Sequence, residues 1–262
     1  MPGYQYWLVA TEAHITTLTL NRAEANNSLT PETLSELRAI TTDLRASQDT
    51  WAVVVQGQGE HFSTGVDTGV IQSLPDQPEP IYRERLLNMQ RALDEFEALE
   101  KPTIAKLRGF CIGGGLLLAL CCDFRIASER TVFSLPEVKL GIAVLMGTQR
   151  LTRTVGVAAA KEMILLGERF NARKAATYGL VHKVVAPGEL DTAVAGLAGK
   201  FRNLPPRTVG IAKRIIHEGY HLSLRDSQDL EMDVLADLLM SPDFREALAS
   251  YLEKRQPVFT GE

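Results

Sequence analysis

Leu107-Arg108-Gly109-Phe110-Cys111-Ile112-Gly113-Gly114-Gly115-Leu116-Leu117-Leu118-Ala119-Leu120 sets three consecutive glycines between a strand-like segment, Thr103 to Leu107, and an apolar run with helical propensity. Residues without Cβ let a ligand approach the main chain closely. The free amides that open a helix turn the positive end of its dipole toward whatever sits there. Read alone, the stretch is either a glycine-rich turn feeding a buried helix or a seat for developing negative charge. It is no membrane span, because the apolar run from Ile112 to Cys122 falls far short of the ~20 residues a span requires.

Working outward, Tyr6–Ala10 and Ile15–Leu20 are rich in β-formers, are split by a polar break, and read as a hairpin. Thr30 makes an N-cap with Pro31 at the first helical position, and Leu34, Leu37, Ile40 and Leu44 recur at helical spacing. The run from Trp51 to Gln56, stopped by Gly57 and Gly59, predicts a strand covered on both faces. His61 to Asp67 is a second glycine turn. Gln72 to Pro80, with three prolines, predicts a mobile loop suited to gating a substrate, and Leu86, Met89, Leu93 and Phe96 mark the next helix. After the triple glycine, Asp123–Ser128 and Val132–Ser134 predict strands, and Leu135 to Gly141 an irregular proline-bearing segment. Gly147–Val155, Val157–Leu166 and Asn171–Tyr178 predict helices, and Leu180–Val185 a last strand. Three or four helices follow Glu189. Pro205-Pro206 divides an α/β body, residues 1–204, from a helical tail, residues 205–262.

Hydrophobic residues at 45% and charged residues at 23% describe an ordinary globular chain, and a net charge of -4 gives no general attraction to nucleic acid or an acidic membrane. The N-terminus lacks the charged and apolar regions of a secretion signal, so a cytoplasmic location is expected. Cys111, Cys121 and Cys122, odd in number and set in apolar sequence, predict buried thiols rather than a disulfide framework.

His217-Glu218-Gly219-Tyr220-His221 satisfies a zinc-protease pattern formally. A left-handed helix end at Gly219 is expected to rotate His221 off the shared face, and no metal is expected. His14, His61 and His182 stand alone, and neither Gly57-Gln58-Gly59 nor the triple glycine has nucleotide-loop spacing. Glu137 remains, a carboxylate in an apolar, proline-turned segment. It is either a solvated loop charge or, if buried, a group of raised pKa that shuttles protons beside a backbone anion site.

Together these residues resemble the crotonase superfamily, the enoyl-CoA hydratases and isomerases, over essentially the whole chain. Asn21-Arg22 through Asn27-Ser28-Leu29 is similar to that family's NRPEALNAL loop, Phe62 to Asp67 to FSAGAD, and Gly109 to Asp123 to GxxxGGGxxLALxCD. Leu135 to Gly141, Gly147 to Leu151 and Leu252 to Arg255 extend the likeness. The resemblance implies an α/β spiral of β-β-α units forming two near-perpendicular sheets, with a C-terminal α-helical trimerisation region and assembly as a homotrimer or hexamer. It implies an acyl-CoA substrate, with coenzyme A entering as part of the thioester and no separate cofactor. By position, the amides of Val66 and Gly114 form an oxyanion hole and Glu137 is the acid–base residue. Arg22 and Ala23 border the coenzyme, and Tyr251 and Lys254 reach its nucleotide end.

The sequence departs from the family where hydratases place a second glutamate, a position held here by Leu117. Leu145 stands where dienoyl-CoA isomerases carry an acid, and Ala143 to Gln149 replaces a glycine-rich run, so a drier, narrower acyl end is expected. Water addition normally shares its proton transfers between two carboxylates. Moving a double bond between C3 and C2 needs one base. The expectation is therefore a single-glutamate Δ3,Δ2-enoyl-CoA isomerase. A hydratase or decarboxylase is the alternative, and a non-catalytic acyl-CoA-binding homologue the further one.

Overall fold

In the computed structural model, which describes residues 3–261, β1 (Trp7–Glu12) and β2 (Ile15–Leu20) pair antiparallel around a turn in which Ala13 and His14 take φ of 46° and 66°. Thr30 caps α1 (Pro31–Ala46): its hydroxyl accepts from the Thr33 amide and the Thr33 hydroxyl accepts from the Thr30 amide. Such reciprocal caps stabilise a helix by about 1 kcal/mol. β3 (Ala52–Gly57) lies parallel to β2, buried on both faces as its β-branched run requires.

The segment expected as a loop from Gln72 to Pro80 is shorter than its prolines suggested. Ser73 ends α2 (Thr68–Ser73), and Pro80 sits in the first turn of α3 (Glu79–Glu97), where a missing N–H costs nothing. β4 (Thr103–Leu107), β5 (Phe110–Ile112) and α4 (Gly114–Leu120) follow, then β6 (Phe124–Ser128), β7 (Val132–Ser134) and a 3-10 turn at Pro136–Leu140. α5 (Thr148–Leu166) breaks at Gly156, φ 78°, where the sequence separates two helices. β8 (Phe170–Asn171) precedes α6 (Ala172–Thr177), which the Asn171 side chain caps and Gly179, φ 71°, closes.

The last strand, β9 (Lys183–Val185), is shorter than the apolar run, because the Leu180 carbonyl is taken by the Arg125 guanidinium and pairing with β6 starts at Lys183. α7 (Leu190–Phe201), α8 (Pro206–Gly219), α9 (Leu224–Leu239) and α10 (Pro242–Glu253) complete the chain.

The large sheet runs β1-β2-β3-β4-β6-β9 and is parallel beyond the hairpin; a second layer runs β5-β7-β8. Single bridges, Ser63 to Cys111 and Leu29 to Val66, continue that second layer. The chain thus passes repeatedly from a strand of the large sheet to a short extended piece and then a helix, a spiral of β-β-α turns. Leu18, Leu37, Phe96, Leu116 and Phe133 are fully buried in the principal core. On the sheet's other face Val54, Ile104 and Ile126 meet Val194 and Ala198 of α7. Each of these side chains larger than alanine contributes about 1.5–3 kcal/mol by leaving water.

α8 is fastened to this body. Gly210 lies so close to Glu100 that a Cβ would fall 2.3 Å from its carbonyl oxygen, and the Lys213 ammonium meets Asp123 at 2.8 Å. The three cysteines are free and buried, and burial pushes the Cys122 thiol up to about 12, which suits inert thiols. No described helix is long and apolar enough to cross a membrane.

Candidate active site

Gly113, with φ 52°, turns the chain from β5 into α4 and leaves Gly114 as the helix's first residue. The Gly114 amide is among the first-turn donors that no helical carbonyl can reach. Facing it is the turn at Gly65-Val66. In the bridge to Leu29, the Leu29 amide donates to the Gly65 carbonyl and the Asp67 amide to the Leu29 carbonyl, and among the described residues no backbone carbonyl takes the Val66 amide. The two turns touch: a Cβ on Gly114 would lie 3.2 Å from the Val66 nitrogen, and one on Gly65, φ 94°, would lie 2.9 Å from the Gly114 nitrogen. Two uncommitted N–H groups therefore sit side by side, one carrying the positive end of a helix dipole.

A polar brace, which sequence reading missed, fixes these turns. Asn27 in left-handed conformation, φ 56°, donates through Nδ2 to the carbonyls of Gln58 and His61, both at 2.8 Å, and accepts from the Arg22 amide. The Ser63 hydroxyl donates to the Asn27 carbonyl and accepts from the Gly65 amide. Asp67, next to Val66, accepts from the Ser28 hydroxyl at 2.9 Å and pairs with Arg22 at 3.3 Å. The Ser28 hydroxyl foremost, then the Gly69 amide and Arg22, hold its carboxyl below the usual range. The adjacent Asn26-Asn27 was the available signal, since asparagine tolerates the left-handed region.

Glu137 stands on the 3-10 turn, three residues after Ser134, whose carbonyl accepts the Gly113 amide at 2.9 Å. Its Oε1 is 3.0 Å from where a Gly113 Cβ would be, which sets the carboxyl against the residue preceding the Gly114 donor. Its Oε2 is buried and has no hydrogen-bond partner. Desolvation raises its pKa above the ordinary 4.5, against the opposing pull of its own backbone. A carboxyl so placed can take up and release a proton beside the two amides.

Leu117, one turn along α4 from Gly114, is buried, and its Cδ2 occupies the space a Gly147 Cβ would take, 1.9 Å away. Leu145 is 51% exposed and lines an open cleft rather than sealing a narrow one. Arg22, expected along a coenzyme, turns its guanidinium inward to the Ser28 carbonyl and Asp67, while Ala23 beside it is exposed. Tyr251 and Lys254 are exposed at the end of α10, where Lys254 takes the left-handed cap conformation.

The expected left-handed end at Gly219 does not occur. That glycine is the last helical residue, Tyr220 remains right-handed, and the rings of His217 and His221 lie 6.2 Å apart. The Gly219 carbonyl is satisfied by the Leu222 amide at 3.1 Å and the Ser227 hydroxyl at 3.0 Å, so no left-handed residue is needed to close the helix. Even so, among the described residues no three His, Cys, Asp or Glu side chains converge as metal ligands, and His221 is engaged by Arg153.

Residues 10–262 match the family model described as enoyl-CoA hydratase/isomerase. A crotonyl-CoA hydratase of Syntrophomonas wolfei is 34% identical over 98% of this chain and 98% of its own. A short-chain-enoyl-CoA hydratase of Clostridium acetobutylicum is 33% identical over 94% of each. The crystal structure of an enoyl-CoA hydratase from Bacillus anthracis superposes with a TM-score of 0.92 at 34% identity, covering 98% of this chain and 100% of that one. The spiral is that of the crotonase fold.

Proposed function

The chain belongs to the enoyl-CoA hydratase/isomerase family, and from that footing we propose that it moves protons at C2 of an enoyl-CoA thioester, with Glu137 as the acid–base group. The observation that carries this reading is the buried, unpartnered Oε2 of Glu137 beside the paired amides of Val66 and Gly114. The thioester oxygen accepts from both amides, and each donor stabilises the developing enolate by about 3 kcal/mol. No group beyond the substrate's own coenzyme A is needed.

The names of the relatives favour hydration over the isomerisation expected from the sequence. With one carboxylate, Glu137 relays the proton. Water held on its free oxygen adds to C3 and gives its proton to the carboxylate. The C2–C3 π pair becomes the enolate, and the same proton is delivered to C2. Isomerisation is the second reading, favoured by the dry contact of Leu117 with Gly147. There Glu137 takes a proton from C2 of a 3-enoyl thioester and returns it at C4.

Crotonyl-CoA and a 3-enoyl-CoA, supplied separately in D2O, distinguish these readings. Hydration outrunning double-bond migration is the expected result, with Glu137→Gln lowering the rate about a thousandfold. Migration outrunning hydration selects the second reading. An unchanged rate in Glu137→Gln removes both, and binding without reaction leaves an acyl-CoA-binding homologue. The exposed Met232, Leu235, Leu239, Met240, Leu248 and Leu252 of the C-terminal helical region support assembly into a trimer or hexamer.

A further inference from the structure

Arg22 stands where the family resemblance implies a border with the coenzyme, yet its guanidinium is committed inside the protein. Nη1 donates to the Ser28 carbonyl at 2.7 Å and to the Ser28 hydroxyl at 3.2 Å, and Nη2 meets Asp67 at 3.3 Å. The group also packs over the Tyr6 ring, 5.8 Å from its centroid. The side chain is 17% exposed, and the Asp67 carboxylate cancels its charge. A phosphate would have to displace that carboxylate to use the same fork of donors.

The two residues that Arg22 joins flank the bridge presenting one oxyanion donor. Ser28 precedes Leu29, Asp67 follows Val66, and Leu29 and Val66 are bridge partners. The bridge is closed by the Leu29 amide on the Gly65 carbonyl at 2.7 Å and the Asp67 amide on the Leu29 carbonyl at 2.9 Å. The Ser28 hydroxyl crosses the same gap to Asp67 at 2.9 Å. Both bridge residues also rest against the other donor: a Cβ on Gly114 would lie 3.2 Å from the Val66 nitrogen and 3.5 Å from Leu29 Cδ1. A shift of Ser28 against Asp67 therefore changes how the Val66 amide stands beside that of Gly114. Hydrogen bonds to a developing oxyanion weaken steeply with such misalignment.

Resting on the thioester reading above, we infer that Arg22 is a positioning residue for the oxyanion hole, acting through Ser28 and Asp67 on the Val66 amide, and that it makes no contact with the coenzyme.

The two roles separate experimentally. Free coenzyme A is titrated calorimetrically into the full chain, and turnover of crotonyl-CoA or a 3-enoyl-CoA gives kcat and KM. A bound 3-ketoacyl-CoA reports on the hole itself through the near-ultraviolet band of its enolate. In Arg22→Met, kcat falls about thirtyfold, short of the hundredfold or more of losing a donor outright, while affinity for free coenzyme A stays within about twofold. The enolate band at saturating ligand falls with kcat. Arg22→Lys, which keeps a cation beside Asp67, restores part of both signals. Asp67→Asn also lowers kcat, and combining it with Arg22→Met lowers it little further, because the two share one contact. Should Arg22→Met fail to fold, Arg22→Lys and Ser28→Ala carry the same comparison. A loss of coenzyme A affinity of about tenfold with kcat intact makes Arg22 a coenzyme contact and overturns the inference. So does a kcat and enolate band unchanged in Arg22→Met, with the Glu137 chemistry left standing. If wild type turns over no thioester and forms no enolate band, the thioester reading fails and this inference with it.

Discussion

An added Cβ would fall 2.6 Å from the Ser63 carbonyl at Gly115 and 2.8 Å from the Ile112 carbonyl at Gly65, whereas at Gly141, four residues beyond Glu137, nothing lies within 4 Å. The amide-bearing turns are clamped backbone to backbone. The acid-bearing segment is loose by comparison, with Val138, Leu140, Ile142 and Leu145 all more than 40% exposed. Stabilising an oxyanion depends on where main-chain atoms sit, and only packing fixes that. Moving a proton depends on one side chain, so the segment around it tolerates change. Ala143-Val144-Leu145-Met146, where the family resemblance implies a glycine-rich run, continues this segment, with Val144 buried and Leu145 half-exposed.

Paired glycine substitutions test that contrast most severely. Gly115→Ala must push α4 away from Ser63, where three atoms lie within 2.8 Å of the new methyl. Overpacking of this kind costs about 1–3 kcal/mol, and displacing one oxyanion donor costs about a hundredfold in kcat. Gly141→Ala meets open space and loses only what φ 75° demands of an L residue, on the order of 1 kcal/mol, with turnover retained. Thermal melts and initial rates on both variants decide the matter. Equal rates would show that the amide turns are not the sensitive part.

The clamped half was also the legible half. Short-range chemistry announces itself: Thr30-Pro31 opened α1, Gly156 broke α5, and Gly113 turned the chain into α4, each because φ or a missing N–H leaves few options. The positions of Val66 and Gly114 came through the family resemblance, and the fold brings the two turns into contact. What stayed hidden depends on distance in space. The Asn27–Ser63–Gly65 brace joins residues more than thirty positions apart. The Arg125 contact that shortens β9 spans 55 positions. Gly219 misled for the opposite reason, since a glycine permits a left-handed end but does not impose one.

Leu117→Glu probes the border between the two halves with a smaller expected effect on turnover. The new carboxylate enters a buried site against Gly147, so the protein loses a few kcal/mol of stability from an incompletely solvated charge. In exchange it can hold a water opposite Glu137. The ratio of crotonyl-CoA hydration to 3-enoyl isomerisation should rise about tenfold. A ratio that stays put would mean that water reaches C3 from a direction Leu117 does not control.

The smallest effect concerns stability alone and isolates the cost of keeping Glu137 dry. Burial raises its folded-state pKa above the ordinary 4.5, so between those two values the folded protein binds more protons than the unfolded chain. Stability then falls as pH rises through that window, the reverse of a salt-bridged carboxylate. Glu137→Gln keeps the shape and removes the charge. The variant and wild type should melt together below pH 4.5, and the variant should melt higher once the pH exceeds the raised value. Melting curves of both proteins at matched pH give the difference directly, with every other titrating group common to the two. If wild type gained on the variant as pH rose, the carboxylate would have found a partner in solution. The unpaired Oε2 would then no longer be the group that waits for the substrate's proton.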